Sequence, residues 1–316
     1  MIATLEATDL VKVFGRTRAL DRLNLTMNPG QVMAVLGPNG AGKTTFVNLV
    51  ATLLRLDGGT LRVGGHDVAR HPAAVRRLVA LAGQYAAVEP TLTGRENVEM
   101  VARLFGHSRA QARSDAAAVL EQMGLSDAAD RTVRTYSGGM RRRLDLGASL
   151  VGRPRLLLLD EPTTGLDPRS RIELWDVIRS LVASGTDVLL TTQYLDEADH
   201  LAAQIAIIDH GQVVASGTPR ELKRSVGRSV VEVHVRDTAA LDRVAAILLA
   251  IGEGAPTVDV PTRRVRVALG ADTRRVFAAL RPLDDTDIAI DEVSVRQPTL
   301  DEAFLALTGT PKENVA

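Results

Sequence analysis

The chain has 316 residues, 38 basic and 38 acidic, six histidines and no cysteine. That length accommodates two domains with buried cores, and the missing cysteines exclude disulfides and thiolate metal centres. Zero formal net charge gives no support to nucleic acid or an anionic membrane held through bulk charge.

Residues 1–9 are mixed and acidic, unlike the basic-then-apolar start of an export signal. No apolar run approaches the roughly 20 residues that span a bilayer, so membrane work would need a separate spanning chain. From residue 1 to about 220, strand-like runs alternate with amphipathic helices. Residues 5–13 alternate and read as a strand. Residues 31–36 form a short apolar run that ends in Gly37-Pro38-Asn39-Gly40-Ala41-Gly42-Lys43-Thr44, and 44–54 then read as a helix. This is G-x-x-x-x-G-K-[ST] in the strand–loop–helix setting that the motif requires. The glycines let successive N–H groups turn inward on phosphate oxygens, and the helix presents its positive end to them. Lys43 supplies charge to the outer phosphates, and the Thr44 hydroxyl suits Mg²⁺. The chain has only four lysines, Lys12, Lys43, Lys223 and Lys312, so a chance match is rarer still.

The interval 95–152 is rich in Ala and Arg with helical periodicity, and reads as a helical subdomain inserted into the α/β core. Within it, Ser137-Gly138-Gly139 opens a helix at 140–151. That fits a second anion site at a helix N-terminus or a plain serine cap with a flexible glycine pair. Residues 155–159 and 187–192 are continuous apolar runs, as expected of strands covered on both faces. Ile172, Trp175, Ile178, Leu181 and Val182 lie between them at helical spacing, which predicts a parallel sheet with right-handed crossovers. The first run ends in Asp160 and Glu161. Asp160 can hold Mg²⁺ directly or through water, and Glu161, aimed elsewhere, can orient the attacking water. Residues 204–208 and 212–215 predict a hairpin about Asp209-His210-Gly211.

After a helix at 219–225 the order becomes β-α-β-β-α-β. The strands fall at 229–236, 257–260, 263–269 and 287–295, and the helices at about 238–251 and 272–281. This suggests a small ferredoxin-like α+β domain, closed by a short helix at 299–307. The predicted fold class is therefore α/β. A P-loop core with the inserted helical subdomain occupies 1–225, and an accessory domain 226–316. Leu300, Phe304 and Leu307 form an apolar stripe that suits packing on their own domain better than docking.

On these motifs, residues 5–220 resemble an ATP-binding-cassette ATPase. The resemblance implies ATP and Mg²⁺ as ligands and the phosphate set Gly37, Pro38, Asn39, Gly40, Ala41, Gly42, Lys43, Thr44 and Thr45. It implies that Ser137, Gly138 and Gly139 contact the γ-phosphate of ATP held by an opposite subunit, so that two copies, or one copy and a paralogue, sandwich two ATPs. Gln84 resembles the family's glutamine loop, which reaches Mg²⁺ and water and faces the permease. Gly165-Leu166-Asp167-Pro168 resembles the loop that couples the two sites. Phe14 sits where the family places an adenine-stacking tyrosine, and a phenyl ring can stack as well; its plainer alternative is a core aromatic. In one departure, Gln193 follows the run 187–192 where the family usually has histidine. A carboxamide donates a hydrogen bond but neither takes up nor releases a proton at neutral pH, so Glu161 is expected to act on the water while Gln193 positions phosphate. Gln193 and Pro298-Thr299-Leu300-Asp301-Glu302-Ala303-Phe304-Leu305 resemble the daunorubicin-resistance branch of drug exporters. That branch implies a subunit peripheral to the cytoplasmic membrane face, energising a separately encoded permease that exports a hydrophobic drug or lipid, with no nucleic-acid partner. The alternatives are an importer subunit, a soluble cassette acting on ribosomes or DNA, and a nucleotide-binding regulator without turnover.

Overall fold

In the computed structural model, which describes residues 2–83, 87–226, 229–250, 252–269, 281, 283, 286–296 and 298–308, apolar residues at alternate positions fold the N-terminal segment into a hairpin. Its strands are β1 (Leu5–Phe14) and β2 (Thr17–Met27). β3 (Val32–Leu36), buried at every position, leads through the glycine loop into α1 (Lys43–Val50). β4 (Gly58–Val63), β5 (His66–Asp67), α2 (Pro72–Arg76) and β6 (Val79–Ala82) follow. β1, β2, β4 and β5 form an antiparallel sheet in the order β2-β1-β4-β5.

The inserted helices are α3 (Gly94–Leu104), α4 (Arg109–Gln122) and α5 (Gly138–Leu150), each begun by a Ser or Thr cap. Thr93 and Glu96 make a reciprocal capping box at the start of α3. The chain then returns to the core through β7 (Leu156–Asp160), α6 (Pro168–Ala183), β8 (Asp187–Thr192), α7 (Leu195–Leu201), β9 (Gln204–Asp209) and β10 (Gln212–Gly217). Five strands run parallel, and β10 closes the edge as the expected hairpin, in the order β10-β9-β3-β8-β7-β6. Apolar residues of both sheets and of α1, with Phe46 and Val47 fully buried, make one core.

The chain divides into two units, Met1–Pro219 and Arg220–Ala316. α8 (Pro219–Val226) begins at that boundary. In the second unit, β11 (Val230–Val235), α9 (Leu241–Leu249), β12 (Thr257–Asp259), β13 (Arg264–Ala268) and β14 (Ile290–Arg296) precede a final helix, Leu300–Leu307. Its antiparallel sheet has the order β12-β13-β11-β14, which is the strand order of a ferredoxin-like domain. The helix expected at 272–281 lies outside the described residues except for Arg281. Val231, Val233, Val244 and Leu248 belong to this unit's own core.

Candidate functional site

Strand pairing decides which loops share an edge. Leu36 of β3 lies opposite Thr192 of β8, and Asp160 of β7 lies opposite Thr191. The glycine loop, Glu161 and Gln193 therefore leave the C-terminal ends of three neighbouring parallel strands, spaced about 4.8 Å apart. In open parallel sheets that edge is where ligands bind.

The loop is shaped for close backbone approach. A Cβ on Gly37 would stand 2.3 Å from the Ile208 carbonyl oxygen. Gly42 has φ +108° and a Cβ there would stand 2.5 Å from the Ala19 carbonyl oxygen, so only glycine fits. Gly42 caps α1 without a side-chain acceptor, which leaves the first-turn N–H groups for an anion. Lys43 is 5% exposed. Its Nζ donates to the carbonyls of Gly37 at 2.7 Å and Pro38 at 3.0 Å. Burial pushes its pKa down, against the opposing pull of the Glu161 and Asp160 charges. Pro38, Asn39, Gly40 and Thr44 are exposed, Ala41 is buried and Thr45 half-buried.

The two carboxylates face different surroundings. Asp160 is 7% exposed and its Oδ1 accepts from Thr191 Oγ1 at 2.5 Å and Thr44 Oγ1 at 3.4 Å. A hydroxyl and a carboxylate side by side form an oxygen-only donor set, which suits a hard cation such as Mg²⁺ that also takes phosphate oxygens. No group of three or more His, Cys, Asp or Glu able to hold a metal occurs among the described residues. Glu161 has φ +49°, a left-handed conformation that costs a non-glycine residue roughly 1–2 kcal/mol. Its N–H donates to both the carbonyl and the hydroxyl oxygen of Thr191, each at 3.1 Å. That turn carries the half-buried Glu161 side chain away from Asp160's partners, to accept from Thr164 Oγ1 at 3.3 Å. Gln193 is exposed at the end of β8.

Other expected residues lie on separate elements. Ser137 caps α5, accepting from the Met140 N–H at 3.2 Å, and Ser137 and Gly138 are exposed. Gly139 faces the start of α6, where a Cβ would stand 2.5 Å from Ser170 Oγ. Ser170 is in turn held by Asp167, the cap of α6. Among the described hydrogen bonds none joins 137–139 to the loop at 37–44. Phe14 ends β1 at 46% exposure with Lys12 Nζ 5.3 Å from its ring centroid, so it is not a core aromatic. Gln84 lies outside the described residues.

The structure adds groups that the motifs do not point to. Arg142 and Asp145, both buried on α5, pair across one turn and reach β7 and residues 83 and 87. Their i,i+3 spacing is a signal in the sequence, but the same spacing marks countless solvated helix pairs. Glu197 of α7 is fully buried, accepts from Trp175 Nε1 at 3.3 Å, and has its carboxyl pKa pushed up by burial.

Comparison with known proteins is consistent with this geometry. The ABC transporter family profile matches residues 20–164. The chain is 51% identical over 314 residues to the daunorubicin/doxorubicin resistance ATP-binding protein DrrA of Streptomyces peucetius, covering 98% of this chain and 94% of that one. It is 43% identical to the doxorubicin resistance ATP-binding protein DrrA of Mycobacterium tuberculosis, covering 95% and 92%. Among solved structures, the ADP conformation of an ATP-binding cassette from an ABC transporter superimposes with a TM-score of 0.65 at 25% identity, covering 72% of this chain and 95% of that one. No described helix is long and apolar enough to cross a membrane.

Proposed function

We propose, for a chain that belongs to the ABC transporter family as an ATP-hydrolysing subunit, that the edge built by β3, β7 and β8 binds ATP and drives a separate permease. The exported cargo is a hydrophobic drug, in keeping with the resistance proteins that this chain resembles. The chain acts peripherally at the cytoplasmic face of the membrane that holds that permease, paired with a second copy or a paralogue.

In this reading the N–H groups of residues 39–44, except that of Ala41, which donates to the Pro38 carbonyl, and the first turn of α1 donate to the β- and γ-phosphates. Lys43 exchanges its two carbonyl partners for phosphate oxygens, and Thr45 donates from the next helical position. Phe14 offers its exposed ring to the adenine. Thr44 and Asp160 would hold Mg²⁺, which neutralises charge on the phosphate oxygens when bound. Glu161 accepts a hydrogen bond from the attacking water and orients it in line with the γ-phosphorus. Gln193 donates an amide N–H to the γ-phosphate and takes up no proton, and Gln84 reaches the same water. The exposed cap at Ser137, Gly138 and Gly139 closes on the γ-phosphate held by the opposite copy, and hydrolysis releases that contact.

The observation that carries this reading is the register of Leu36 with Thr192 and of Asp160 with Thr191. It brings the loop of residues 37–44, the Thr44 and Asp160 oxygens and the Glu161 carboxylate to one edge, which supports these roles. The full-length Glu161→Gln variant with MgATP, followed by light scattering and phosphate release, tests it. Turnover is expected to fall by about 10²-fold or more, with ATP-dependent dimers accumulating. Wild-type turnover from a chain that stays monomeric would overturn the assignment.

A further inference from the structure

The catalytic turn at Glu161 is strained, and its neighbours show what holds it. The Glu161 N–H is fixed by Thr191, as described above. The carbonyls on either side of Glu161 are both taken by one side chain from the helical subdomain. Arg142 Nε donates to the Pro162 carbonyl at 2.9 Å, and Nη2 donates to the Asp160 carbonyl at 3.4 Å. Nη1 donates to the Gly83 carbonyl at 2.5 Å and lies 3.5 Å from Asp145 Oδ2. Asp145 Oδ1 accepts from the Ala87 N–H at 2.7 Å. Arg142 is 7% exposed and Asp145 6%.

A buried guanidinium is costly unless its donors are met. Here they are met mainly by main-chain oxygens, so the arginine holds backbone rather than another surface charge. The planar fork can reach Pro162 on one edge and Gly83 on another at the same time. A lysine ammonium presents its donors from one point and cannot span both.

We propose that Arg142 is a positioning residue for hydrolysis: bracketing the carbonyls of Asp160 and Pro162, it keeps Glu161 in the left-handed turn that aims its carboxylate at the water. Asp145 orients the guanidinium and ties the same clamp to Ala87. Arg142 touches no substrate atom; because it also holds the Gly83 carbonyl, the double variant below separates a route through Glu161 from one through the neighbouring Gln84. Because Ser137 caps the helix that carries Arg142, the tip expected to meet the opposite copy's nucleotide and the brace behind Glu161 share one rigid element. This inference rests on the proposed role of Glu161.

The test mixes the full chain with saturating MgATP, so that both sites of a pair fill, and reads the rate of phosphate release beside the dissociation constant for a fluorescent ATP analogue and the melting temperature. The proteins are wild type, Arg142→Gln, Glu161→Gln and the double variant. Arg142→Gln is expected to slow release about tenfold or more while nucleotide affinity stays within about twofold, since the loss falls on the chemical step. Arg142→Lys should recover only part of it. In the Glu161→Gln background, followed over hours, Arg142→Gln should change the residual rate by less than about twofold, because the residue it serves is gone. An unchanged rate in folded Arg142→Gln would sink the idea, as would the same fold-loss in both backgrounds. If Arg142→Gln does not fold, Arg142→Lys carries the same cycle. Wild-type release from Glu161→Gln alone would instead remove the role of Glu161 and this inference with it.

Discussion

Lys43 is held by carbonyls of its own loop and sits in a buried site that disfavours its charge. Phosphate binding needs the charged form. A group with a lowered pKa loses its proton sooner as pH rises, so ATP affinity should start to fall below the ordinary lysine value of 10.5. Titrating the binding of a fluorescent ATP analogue from pH 7 upward checks this. Affinity that stays flat to 10.5 would contradict it. At this scale the sequence was informative where spacing encodes chemistry: Gly37–Thr44, Asp160 and Glu161 meet at one edge as their order implied. It was silent on Arg142, Asp145 and Glu197. Their partners are backbone groups or distant side chains brought in by the fold, and nothing in a local pattern separates a buried arginine from a solvated one. The positive φ at Glu161 was equally hidden, since glutamate does not advertise a left-handed turn.

Among the elements, α5 and α6 start against each other. Replacing Gly139 with alanine inside α5 would favour the helix by about 1 kcal/mol. The new methyl would press on Ser170, 2.5 Å from its Oγ and 2.7 Å from its Cβ, and Ser170 is fixed by two hydrogen bonds to Asp167. Overpacking of that kind costs roughly 1–3 kcal/mol, so the net effect of Gly139→Ala should be destabilising. A lower melting temperature confirms the contact, and an equal or higher one refutes it. The central strands were readable because continuous apolar runs such as 156–159 and 188–190 admit few other fates. The strands at 17–27 and 58–63 are not legible in the sequence. β2 is interrupted by Arg18, Asp21, Arg22 and Asn24, and β4 opens with two glycines, which are poor strand formers. Both depend on pairing with β1, which no local window contains.

Across the whole molecule, two units each carry their own core. The described residues proposed to bind nucleotide all lie in the first. Removing residues 226–316 should therefore leave affinity for the ATP analogue within about twofold while weakening assembly with a second copy or the permease. Binding and co-purification measurements check the two halves of that statement. A folded truncation that no longer binds nucleotide would reject the division. The ferredoxin-like strand order was legible from alternation and element sequence, whereas the assembly that would bring Ser137 to a nucleotide leaves no mark in one chain's pattern beyond an exposed cap.

Phe14 has a further consequence for diet. A phenyl ring offers a flat apolar face with neither donor nor acceptor, and the nearby Lys12 ammonium is already paired with Asp57, so the ring itself reads a base by shape. The polar machinery lies at the other end, around Lys43. With Phe14 as the proposed platform, the subunit counts phosphates and ignores the letter attached to them. Guanosine and uridine triphosphates would then fuel it too, and the cell's own abundance of ATP, rather than any discrimination by the protein, would set which fuel is burned.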